Sequence, residues 1–488
     1  MALIGVDIGN TNFKCVVIDY DGRLIAYRKV PSQIYSHTKD GFAYIDANMI
    51  FNEVARLCAD AVKDASAERL DGLAVSGMGS AGVLLDGEGS QIPVATQNNA
   101  TQNNAAQNNA APNNAAQNNA AQNTYIDKIN TPTPLCKYSN SEYRAICGYP
   151  RTYRAVGQNI AGFLNKRPEL INTNCHYLSI TDYINFRLTG VMRREQSVSG
   201  SIAPYDWKNK TDWKEFLDEY HISTEILPPT CESGCYIGCI TAKNSAMGLP
   251  SGIPVYAGGH DYLCAAFAAG CAGEGDVADI IGTYELLTVF TDSSREYAPL
   301  PVTANGFDVF CDRHVVSGLR AITAETISAG IIEKKYGASG TNDLTRRFEE
   351  LDGLSADTGS GLRGRPSDSL ADIIAGLNFR SAQMYDYIKQ ASEGESAAFS
   401  AALRGAVGRG GVKAVGGGSR SRYWMQNKAD ATGCTLIAPR IPEAAAAGAA
   451  LLAGVGCGIY SSYGDAARVY ERAQTDVYIP NMIRNGRR

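Results

Sequence analysis

The sequence predicts an α/β protein of two domains, and three observations support this fold class. The chain has 488 residues, which is more than one hydrophobic core usually serves. Short apolar runs typical of buried strands alternate with segments whose apolar residues have helical spacing. A unit of strand, small polar turn and strand occurs once in each half, at residues 3–18 and at residues 277–290. The turn at residues 248–252 separates the halves, so we predict domains at 1–252 and 253–488.

Composition and charge exclude several functional classes. Hydrophobic residues make up 44% of the chain, and 45 Lys and Arg stand against 50 Asp and Glu, for a net charge of -5. This balance gives no electrostatic reason to expect nucleic acid or an anionic membrane as a partner. No apolar run approaches the ~20 residues that a spanning helix needs. The N-terminus enters a strand at once and shows no signal-peptide pattern, and the 13 cysteines lie mostly in apolar runs, so we predict a cytoplasmic protein with reduced thiols.

The first 30 residues predict a meander of three strands, at 3–8, 13–18 and 24–30. Asp7 lies inside the first strand, where a carboxylate is costly unless it has a partner or a function. The turn Gly9-Asn10-Thr11-Asn12 offers small side chains and backbone N–H groups that suit a phosphate, and Lys14 can reach the same place. An ordinary hairpin turn is the alternative interpretation of this segment.

The following segments alternate between helix and strand until the composition changes. A helix is predicted at 48–65, and strands are predicted at 73–77 and 83–85. Residues 96–123 consist of five-residue units such as TQNNA and AQNNA. A period of five keeps no face apolar in a helix or a strand, so we expect a disordered, solvated loop, with an Ala-assisted helix as the second choice. Helical spacing and a terminal glycine then predict a helix within 177–190.

The stretch Ala257-Gly258-Gly259-His260-Asp261 places a carboxylate at a corner between a strand and a helix. Residues 253–257 predict a buried strand, two glycines allow a sharp turn, and residues 263–269 predict a helix that ends at Gly270. Asp261 therefore falls near the positive end of a helix. A carboxylate at such a position either caps the helix or serves as a base in a cleft.

The second half contains a corresponding strand–turn–strand unit. Strands at 277–281 and 286–290 flank the turn Gly282-Thr283, and two such turns facing each other across a cleft could hold the ends of a polyphosphate. A helix is predicted at 319–334 and a surface loop at 353–369.

A glycine-rich turn follows a strand predicted at 412–415. It contains Gly416, Gly417 and Gly418 and leads into a helix at about 423–432, and a helix of small residues follows at 444–452. The turn lacks the third glycine of GxGxxG, and the sequence contains no GxxxxGK[ST]. A dinucleotide-binding fold and a P-loop are therefore both disfavoured.

Seven stretches of this sequence resemble the FGGY family of carbohydrate kinases, in the actin/hexokinase/Hsp70 ATPase superfamily. They are GVDIGNTNFKCVVID, VSGMGSAGVLLD, LSITDYINFRLTG, GLPSGIPVYAGGHDYLCAAFAAG, IIGTYELL, GGGSRSRYWMQNKADATG and IPEAAAAGAALLAG. They follow the family's order from Gly5 to Gly454, so together they predict the fold more strongly than any single motif does.

The resemblance implies an α/β fold of two actin-like (ribonuclease H-like) domains, with ATP and a sugar bound in a central cleft. It implies transfer of the γ-phosphate of ATP to a hydroxyl of a ketose or polyol. Asp261 is implied as the general base, and Asp7 as the group that organises Mg²⁺, partly through water. A homodimer is expected by analogy with the family.

The other site residues that the resemblance implies fall into three groups. The phosphates of ATP would meet Gly9, Asn10, Thr11, Asn12 and Lys14 in the first half, and Gly282 and Thr283 in the second. The adenosine would lie by Gly416, Gly417, Gly418, Gln426 and Ala429. The sugar would be lined by Met78, Gly79, Ser80 and Ala81, together with His260 and Asp261.

Two departures from the family pattern keep a second function open: a repeat in the loop expected to touch the sugar, and a short C-terminal segment after Tyr478-Ile479-Pro480, where relatives resemble one another in a further helix. Family members continue past Gly82 into a loop with a Trp, an Asp and an Arg that touches the sugar, and the repeat at 96–123 stands in its place here. The second hypothesis is therefore a non-catalytic or decayed sugar- or nucleotide-binding protein on the same fold. The presence of Asp7 and Asp261 argues against it, because a binding module needs neither.

Three regularly spaced cysteines suggest two further alternatives, a metal site and an iron–sulfur cluster. Cys231, Cys235 and Cys239 recur every four residues. A metal site there is weakly supported, because no histidine lies nearby at ligand spacing and the intervening glycines indicate a turn-rich strand region. The same cysteines are the candidates for a third hypothesis, an ATP-dependent activase of this superfamily that carries an iron–sulfur cluster.

Overall fold

The structure, a computed structural model, describes most of the chain. The described residues are 1–32, 37–39, 42–44, 46–79, 81–92, 137–150, 174–202, 204–245, 247–296, 307–336, 347–352, 370–390, 394–409, 411–472 and 474–481. The repeat at 96–123, the loop predicted at 353–369 and the candidate site residue Ser80 lie outside them, so those expectations stay predictions.

The strands and helices of the described residues alternate along the chain. The strands are β1 Ala2–Ile8, β2 Asn12–Ile18, β3 Leu24–Pro31, β4 His37–Lys39, β5 Phe42–Tyr44, β6 Leu70–Gly77, β7 Gly82–Leu85, β8 His176–Ser179, β9 Arg194–Glu195, β10 Tyr205–Asp206, β11 Thr211–Asp212, β12 Thr230–Cys231, β13 Tyr236–Cys239, β14 Pro254–His260, β15 Val277–Ile281, β16 Tyr284–Asp292, β17 Asp308–Arg313, β18 Leu319–Ile327, β19 Val412–Val415, β20 Leu436–Pro439 and β21 Thr475–Tyr478. The α-helices are α1 Ala47–Ala65, α2 Asn140–Cys147, α3 Ile180–Thr189, α4 Gln196–Ile202, α5 Lys214–Glu219, α6 Ala242–Ser245, α7 Asp261–Ala268, α8 Ala329–Tyr336, α9 Leu370–Gln390, α10 Gly394–Arg409, α11 Arg422–Thr432, α12 Ala444–Gly456 and α13 Tyr463–Ala467.

The chain divides into two compact units. The first consists of Met1–Ala268, Asp312–Gly318 and Pro442–Val469, and the second of Ala269–Cys311, Leu319–Ile441 and Tyr470–Arg488. This division does not coincide with the boundary predicted between residues 252 and 253. Three segments of the second half belong to the first unit, and two of them are held there by the pairing of β14 with β6 and the packing of helix α12 on β1.

The first unit contains a six-stranded sheet in the order β13-β14-β6-β1-β2-β3. The predicted meander is confirmed, since β1, β2 and β3 pair antiparallel, and the parallel strands β6 and β14 continue the sheet from β1. Helix α1 covers one face with buried residues such as Phe51 and Val54. Its N-terminus is capped by the side chain of Asp46, which accepts from the N–H of Met49.

Helix α12 packs against the sheet at unusually close range because its residues are small. A Cβ atom added to Gly5 of β1 would lie 1.8 Å from the carbonyl oxygen of Ala446. A Cβ added to Gly448 would lie 2.0 Å from the carbonyl oxygen of Cys264 in helix α7. The first contact requires glycine on β1, and the second requires glycine on α12.

The second unit contains a seven-stranded sheet in the order β17-β18-β16-β15-β19-β20-β21. Strands β18, β16 and β15 pair antiparallel, and β19 and β20 continue from β15 in parallel. Both units therefore share a plan in which three antiparallel strands lead into parallel ones. The strand at 277–281 and the helix at about 423–432 are confirmed as β15 and α11.

The helix predicted at 319–334 is wrong for most of its length. Residues 319–327 form β18, which pairs with β16 at nine consecutive positions, from Leu319 with Asp292 to Ile327 with Tyr284. Helix α8 begins only at Ala329. The β-branched residues Ile322 and Thr323 fit a pleated strand, and the Oγ1 atoms of Thr323 and Thr288 lie 3.0 Å apart across the strand pair.

The segment at 177–190 follows its prediction only in part. Strand β8 occupies the first residues, and helix α3 begins at Ile180, where Ser179 caps it through the N–H of Asp182. The predicted glycine stop is confirmed, since Gly190 has a φ of 79°. Within the described part of the chain, no helix combines the length and the apolar character needed to cross a membrane.

Candidate active site

Three parallel strands of the first unit bring the predicted site residues to one edge of its sheet. The central strand β6 pairs with β1 on one side and β14 on the other, and Ser76 is the partner of both Asp7 and Gly259. The carboxyl ends of β1 and β14 therefore meet at the same edge, where ligands bind in parallel α/β sheets. The sequence separates Asp7 and Asp261 widely, and the strand order makes them near neighbours.

Asp7 is held in a pair of ionic contacts centred on Lys14. The side chain of Asp7 is buried at 4% exposure, and its Oδ2 lies 3.3 Å from Lys14 Nζ, directly across the strand pair. Lys14 Nζ also lies 3.1 Å from Oε2 of Glu443, and Glu443 Oε1 accepts from the hydroxyl of Tyr27 at 3.0 Å. Glu443 was not predicted from the sequence, where it marks only the start of a helix.

The backbone of Glu443 has the strained conformation that is common at functional positions. Its φ is 47°, in the left-handed region that non-glycine residues rarely adopt. The side chain makes no capping bond to helix α12. It is directed instead to Lys14 and Tyr27, so the strain accompanies the placement of a carboxylate beside the Asp7–Lys14 pair.

Burial and neighbouring charges shift the pKa values of this group. Burial raises the pKa of Asp7 to about 6, against the opposing effect of Lys14, and the carboxylates of Asp261 and Glu443 add to the rise. Burial alone would lower the pKa of Lys14, but the carboxylates of Asp7 and Glu443 raise it well above its usual range. Lys14 is therefore a permanent cation, whereas Asp7 titrates close to neutral pH.

The predicted strand-to-helix corner at Asp261 is confirmed as the junction of β14 and α7. The side chain of Asp261 is 32% exposed, and its Oδ1 lies 2.7 Å from Nδ1 of His260 and accepts the N–H of Tyr262 at 2.7 Å. Among the described residues no hydrogen bond reaches its Oδ2. One carboxylate oxygen thus fixes the orientation of the group, and the other is left for a ligand.

The neighbours of Asp261 keep it ionised. Burial would raise the pKa of Asp261, but the contact with His260, the N–H of Tyr262 and the charge of Lys14 together lower it. Burial would lower the pKa of His260, and Asp261 outweighs that effect, so the imidazole pKa is raised. Each of the two residues therefore stabilises the charged form of the other, the imidazolium of His260 and the carboxylate of Asp261.

Buried polar residues that the sequence analysis missed surround this pair. The carboxylate of Asp312 accepts the hydroxyl of Tyr262 at 2.8 Å and the hydroxyl of Tyr149. Burial raises the pKa of Asp312, and its charge contributes to the raised pKa of His260. The segment Asp312–Gly318, which begins within β17, joins the first unit, and no local sequence signal predicts this.

The residues predicted to line a sugar are placed beside this edge but are buried. Met78, Gly79 and Ala81 all lie at low exposure after the end of β6. The N–H of Met78 donates to the carbonyl of Ile8 at 3.3 Å, which joins this segment to the strand that carries Asp7.

The first predicted phosphate turn is the tight connection between β1 and β2. The N–H of Gly9 donates to the carbonyl of Asn12 at 3.2 Å. A Cβ on Gly9 would lie 2.9 Å from that same carbonyl oxygen, so a side chain would crowd the turn. Asn10 and Thr11 are exposed at its tip.

The second unit brings its own predicted residues together at one edge of its sheet. Strands β15 and β19 pair in parallel, with Ile280 opposite Val415, so the turns that follow them are adjacent. The first of these turns is Gly282-Thr283, and the second contains Gly416, whose φ is 101° and whose added Cβ would lie 2.5 Å from the carbonyl oxygen of Ile281. Only glycine fits that approach.

The other predicted adenosine residues of the second unit differ in how far they are exposed to solvent. Gly417 is exposed, with open space where a Cβ would stand, whereas Gly418 and Ala429 are buried. The side-chain amide of Gln426 donates to the carbonyl of Ile479 at 2.9 Å and to Asp430 at 3.0 Å. Of the residues predicted to lie by the adenosine, the glycine turn at Gly417 is therefore the part that solvent and ligands can reach.

A buried ionic cluster lies between the turn Gly282-Thr283 and helix α11. Lys428 Nζ is 2.7 Å from Oδ2 of Asp279 and 2.7 Å from Oε1 of Glu285, and all three side chains are at most 2% exposed. The hydroxyl of Tyr385 donates to Asp279 at 2.7 Å, and that of Ser381 donates to Glu285. This Lys428 cluster ties the strands that flank the turn to the helix behind the glycines.

The metal alternatives find no support in the part of the chain that is described. No group of three or more His, Cys, Asp or Glu side chains is arranged there to hold a metal ion. Cys235 and Cys239 are exposed and Cys231 is half-buried.

Each sheet has a strand that leads into a glycine turn, and the first unit has a buried carboxylate on β1 and a partly exposed one at the start of α7, an arrangement that fits the class of phosphotransferases with an actin-like fold. Models of the FGGY family of carbohydrate kinases match residues 2–268 (N-terminal domain) and residues 369–457 (C-terminal domain). The chain belongs to the FGGY family of carbohydrate kinases, which are phosphotransferases with an alcohol group as acceptor. The resemblance found in the sequence is thereby confirmed.

Three relatives illustrate the range of the family. A xylulose kinase of Staphylococcus xylosus is 23% identical over 494 residues, which cover 98% of this chain and 95% of that protein. An autoinducer-2 kinase of Salmonella paratyphi B is 25% identical over 347 residues, 64% of each chain, so this chain spans less than two thirds of that kinase. The structure of Plasmodium falciparum glycerol kinase with ADP superposes with a TM-score of 0.75 at 14% identity, covering 100% of this chain and 95% of the other, which confirms the predicted fold class.

Proposed function

We propose that this chain transfers the γ-phosphate of ATP to a hydroxyl of a ketose or polyol, with Asp261 as the general base. The observation that supports this proposal is that the two carboxylate oxygens of Asp261 have different surroundings. Oδ1 is held by His260 and by the N–H of Tyr262, while Oδ2 has no hydrogen bond from any described residue. A fixed carboxylate with one open oxygen can accept a hydroxyl proton as that hydroxyl attacks phosphorus.

The charge state of Asp261 suits this reaction. Its pKa is lowered, mainly by His260 working against burial, so the group is ionised throughout the neutral range. Phosphoryl transfer passes through a loose transition state and demands positioning more than a strong base. We assign His260 to the orientation of Asp261 and to contact with the sugar, beside Met78, Gly79, Ser80 and Ala81.

The residues of the first unit fit Mg²⁺ bound through water. The buried Oδ1 of Asp7 has no hydrogen-bond partner among the described residues, which suits a coordinated water or cation. Mg²⁺ commonly binds one or two carboxylates together with waters and substrate phosphates, so a full cage of protein ligands is not required. Asp7 would hold the ion, which would neutralise charge on the phosphates. Lys14 and the turn Gly9-Asn10-Thr11-Asn12 would bind the phosphates directly.

In the second unit we assign nucleotide binding to the two adjacent turns. Gly282 and Thr283 would meet the phosphates through backbone N–H groups, and Gly416, Gly417 and Gly418 would lie by the adenosine. Gln426 and Ala429 would support the adenosine from helix α11. The ADP named for the glycerol kinase structure is consistent with a nucleotide site in this fold.

The names of the relatives guide the choice of sugar. Xylulose and glycerol are a ketose and a polyol, so a small neutral substrate with several hydroxyls is the first class to test. The test is ADP release across ketoses, aldoses and polyols, with a no-sugar control. We expect release that depends on one sugar, whereas ATP binding without sugar-dependent release would favour a non-catalytic binding protein.

The raised pKa of Asp7 predicts how the Mg²⁺ requirement depends on pH. Mg²⁺ binding needs the ionised carboxylate, and the pKa of Asp7 is about 6 in the absence of the ion. The Mg²⁺ concentration for half-maximal activity should therefore rise as the pH falls below about 6. Titration of Mg²⁺ at several pH values measures this. Because Asp7→Asn is expected to be inactive, the comparison with this variant uses calorimetry of Mg²⁺ binding in the presence of ATP. Asp7→Asn should show no such step in Mg²⁺ affinity, and an equal step in that variant would contradict the assignment.

The raised pKa of Asp7 also predicts how the stability of the protein depends on pH: acid weakens Mg²⁺ binding, but protonation of Asp7 stabilises the fold. The pKa of Asp7 is raised from 3.8 to about 6 on folding, so the folded protein binds more protons between these values. The shift of Asp7 therefore stabilises the folded protein fully at pH values below 3.8, and this stabilisation is lost as the pH rises through about 6. Asp7→Asn should therefore increase the free energy of unfolding at pH 8 in urea melts while removing activity.

A further inference from the structure

The inference concerns how the Asp261 carboxylate is held, and it rests on the function proposed above. Strand β14 contains a β-bulge immediately before the base. Ala257 pairs with Val75 of β6, and Gly259 pairs with the next residue, Ser76, so Gly258 is the extra residue. Bulges redirect side chains next to active sites. Here the bulge sets the direction in which the chain leaves the sheet and enters helix α7.

Glycine is required at the bulge because the backbones approach too closely for any side chain. A Cβ on Gly258 would lie 2.1 Å from the carbonyl oxygen of Val75. A Cβ on Gly259 would lie 2.9 Å from Oγ of Ser197. These contacts place a serine of helix α4 directly against the bulged strand.

Ser197 accepts a backbone hydrogen bond from the part of β14 that follows the bulge. The backbone N–H of His260 donates to Ser197 Oγ at 2.9 Å, although 63 positions separate the two residues. Ser197 Oγ in turn donates to Oε2 of Glu195 at 2.6 Å. The hydroxyl is fully buried and is held at both ends, so its position is fixed.

Glu195 is itself anchored rather than free to move. Its carboxylate accepts the N–H groups of Ser197 and Val198 and the hydroxyl of Ser233, the last at 2.6 Å. Its own N–H donates to the buried carboxylate of Asp182 at 3.0 Å. The chain of contacts from Asp182 to His260 is therefore rigid and buried.

We propose that Ser197 is a positioning residue for the phosphoryl transfer, which holds the bulged end of β14 so that Oδ2 of Asp261 faces the sugar hydroxyl. Its hydroxyl accepts the N–H of His260, which remains in register with Gly77 of β6 after the bulge, and Glu195 fixes that hydroxyl. Small displacements of a reacting group cost about 100-fold in rate. Among the described residues, no hydrogen bond joins Ser197 to the carboxylate of Asp261.

Ser233 provides a matched control for the test. It donates to the same carboxylate at the same 2.6 Å distance and is equally buried, but it has no contact with His260. Ser197→Ala and Ser233→Ala should lower stability to a similar extent in urea melts. Only Ser197→Ala should lower kcat, by about 10- to 100-fold, with the KM values for sugar and ATP within twofold of wild type.

Two outcomes separate this inference from the proposed function. If Asp261→Asn, assayed beside these variants, keeps wild-type turnover, the base assignment fails and the Ser197 inference fails with it. If Asp261→Asn is inactive but Ser197→Ala and Ser233→Ala have equal kcat, only the Ser197 inference is overturned. Should Ser197→Ala not fold, Ser197→Cys replaces it, because a thiol is a weak acceptor in the same position, and a kcat equal to that of Ser233→Ala again overturns the inference.

Discussion

Replacing Asp261 with asparagine is expected to lower kcat for sugar phosphorylation by about 10²- to 10⁴-fold. Asparagine keeps the size of the side chain and can still meet the N–H of Tyr262, but it cannot accept the hydroxyl proton. ATP affinity should stay within about twofold of wild type, since the proposed nucleotide residues are elsewhere in the chain. The two quantities are measured by coupled ADP release and by ATP titration calorimetry.

Asp86 supplies a matched control for the same substitution. It lies in an exposed turn of the first unit, where its Oδ1 accepts the N–H groups of Glu88 and Ser90. Asn can make the same turn contacts, so Asp86→Asn should retain full turnover. Wild-type turnover in Asp261→Asn would contradict the role of general base. A parallel loss of ATP affinity would indicate a disturbed fold rather than a missing base.

Replacing Lys428 with methionine is expected to lower the free energy of unfolding by about 3 to 5 kcal/mol. The change leaves the carboxylates of Asp279 and Glu285 buried without their cation, and an uncompensated buried charge is costly. Burial would lower the pKa of Lys428, but both carboxylates raise it, so Lys428 carries its positive charge at neutral pH. Urea melts followed by circular dichroism give the change in stability.

An exposed ion pair of the second unit serves as the comparison. Arg440 makes two contacts with the carboxylate of Asp476, at 2.9 and 3.1 Å, on the surface. Arg440→Met should change stability little, because water solvates the remaining carboxylate. Equal stability of Lys428→Met and Arg440→Met would show that the Lys428 cluster does not support the fold. Adding Asp279→Asn and Glu285→Gln to Lys428→Met should recover part of the loss, since no charge is then left unpaired.

Much of the candidate site follows from local sequence patterns. The strand-to-helix corner at Asp261, the turn after β1 and the turn Gly282-Thr283 all appear where the sequence predicts them. Each depends on residues close in sequence, namely a short apolar run followed by glycine or a small polar residue. The same local reasoning fails at 319–327, because a strand that is buried on both faces carries no clear period that would distinguish it from a helix.

Residues that act through distant partners could not be predicted. Glu443 meets Tyr27 across 416 positions, and Ser197 meets the N–H of His260 across 63. In the sequence, Glu443 only opens a helix of alanines and Ser197 is one of several serines. Neither side chain has a local pattern that marks it, since the partner of each is set by how the strands and helices pack.

By itself the sequence determined the fold class and the family, and it marked Asp7, Lys14 and Asp261 as candidate site residues, because strand periods, glycine turns and isolated carboxylates are properties of short segments. Only the tertiary structure decided the division into units, in which β14 and helix α12 join the first. It alone decided the surroundings of the two carboxylates, with Glu443 beside Asp7 and Ser197 behind Asp261. The physical reason is that hydrogen bonds, burial and charge act over a few ångströms in space, whatever the separation along the chain.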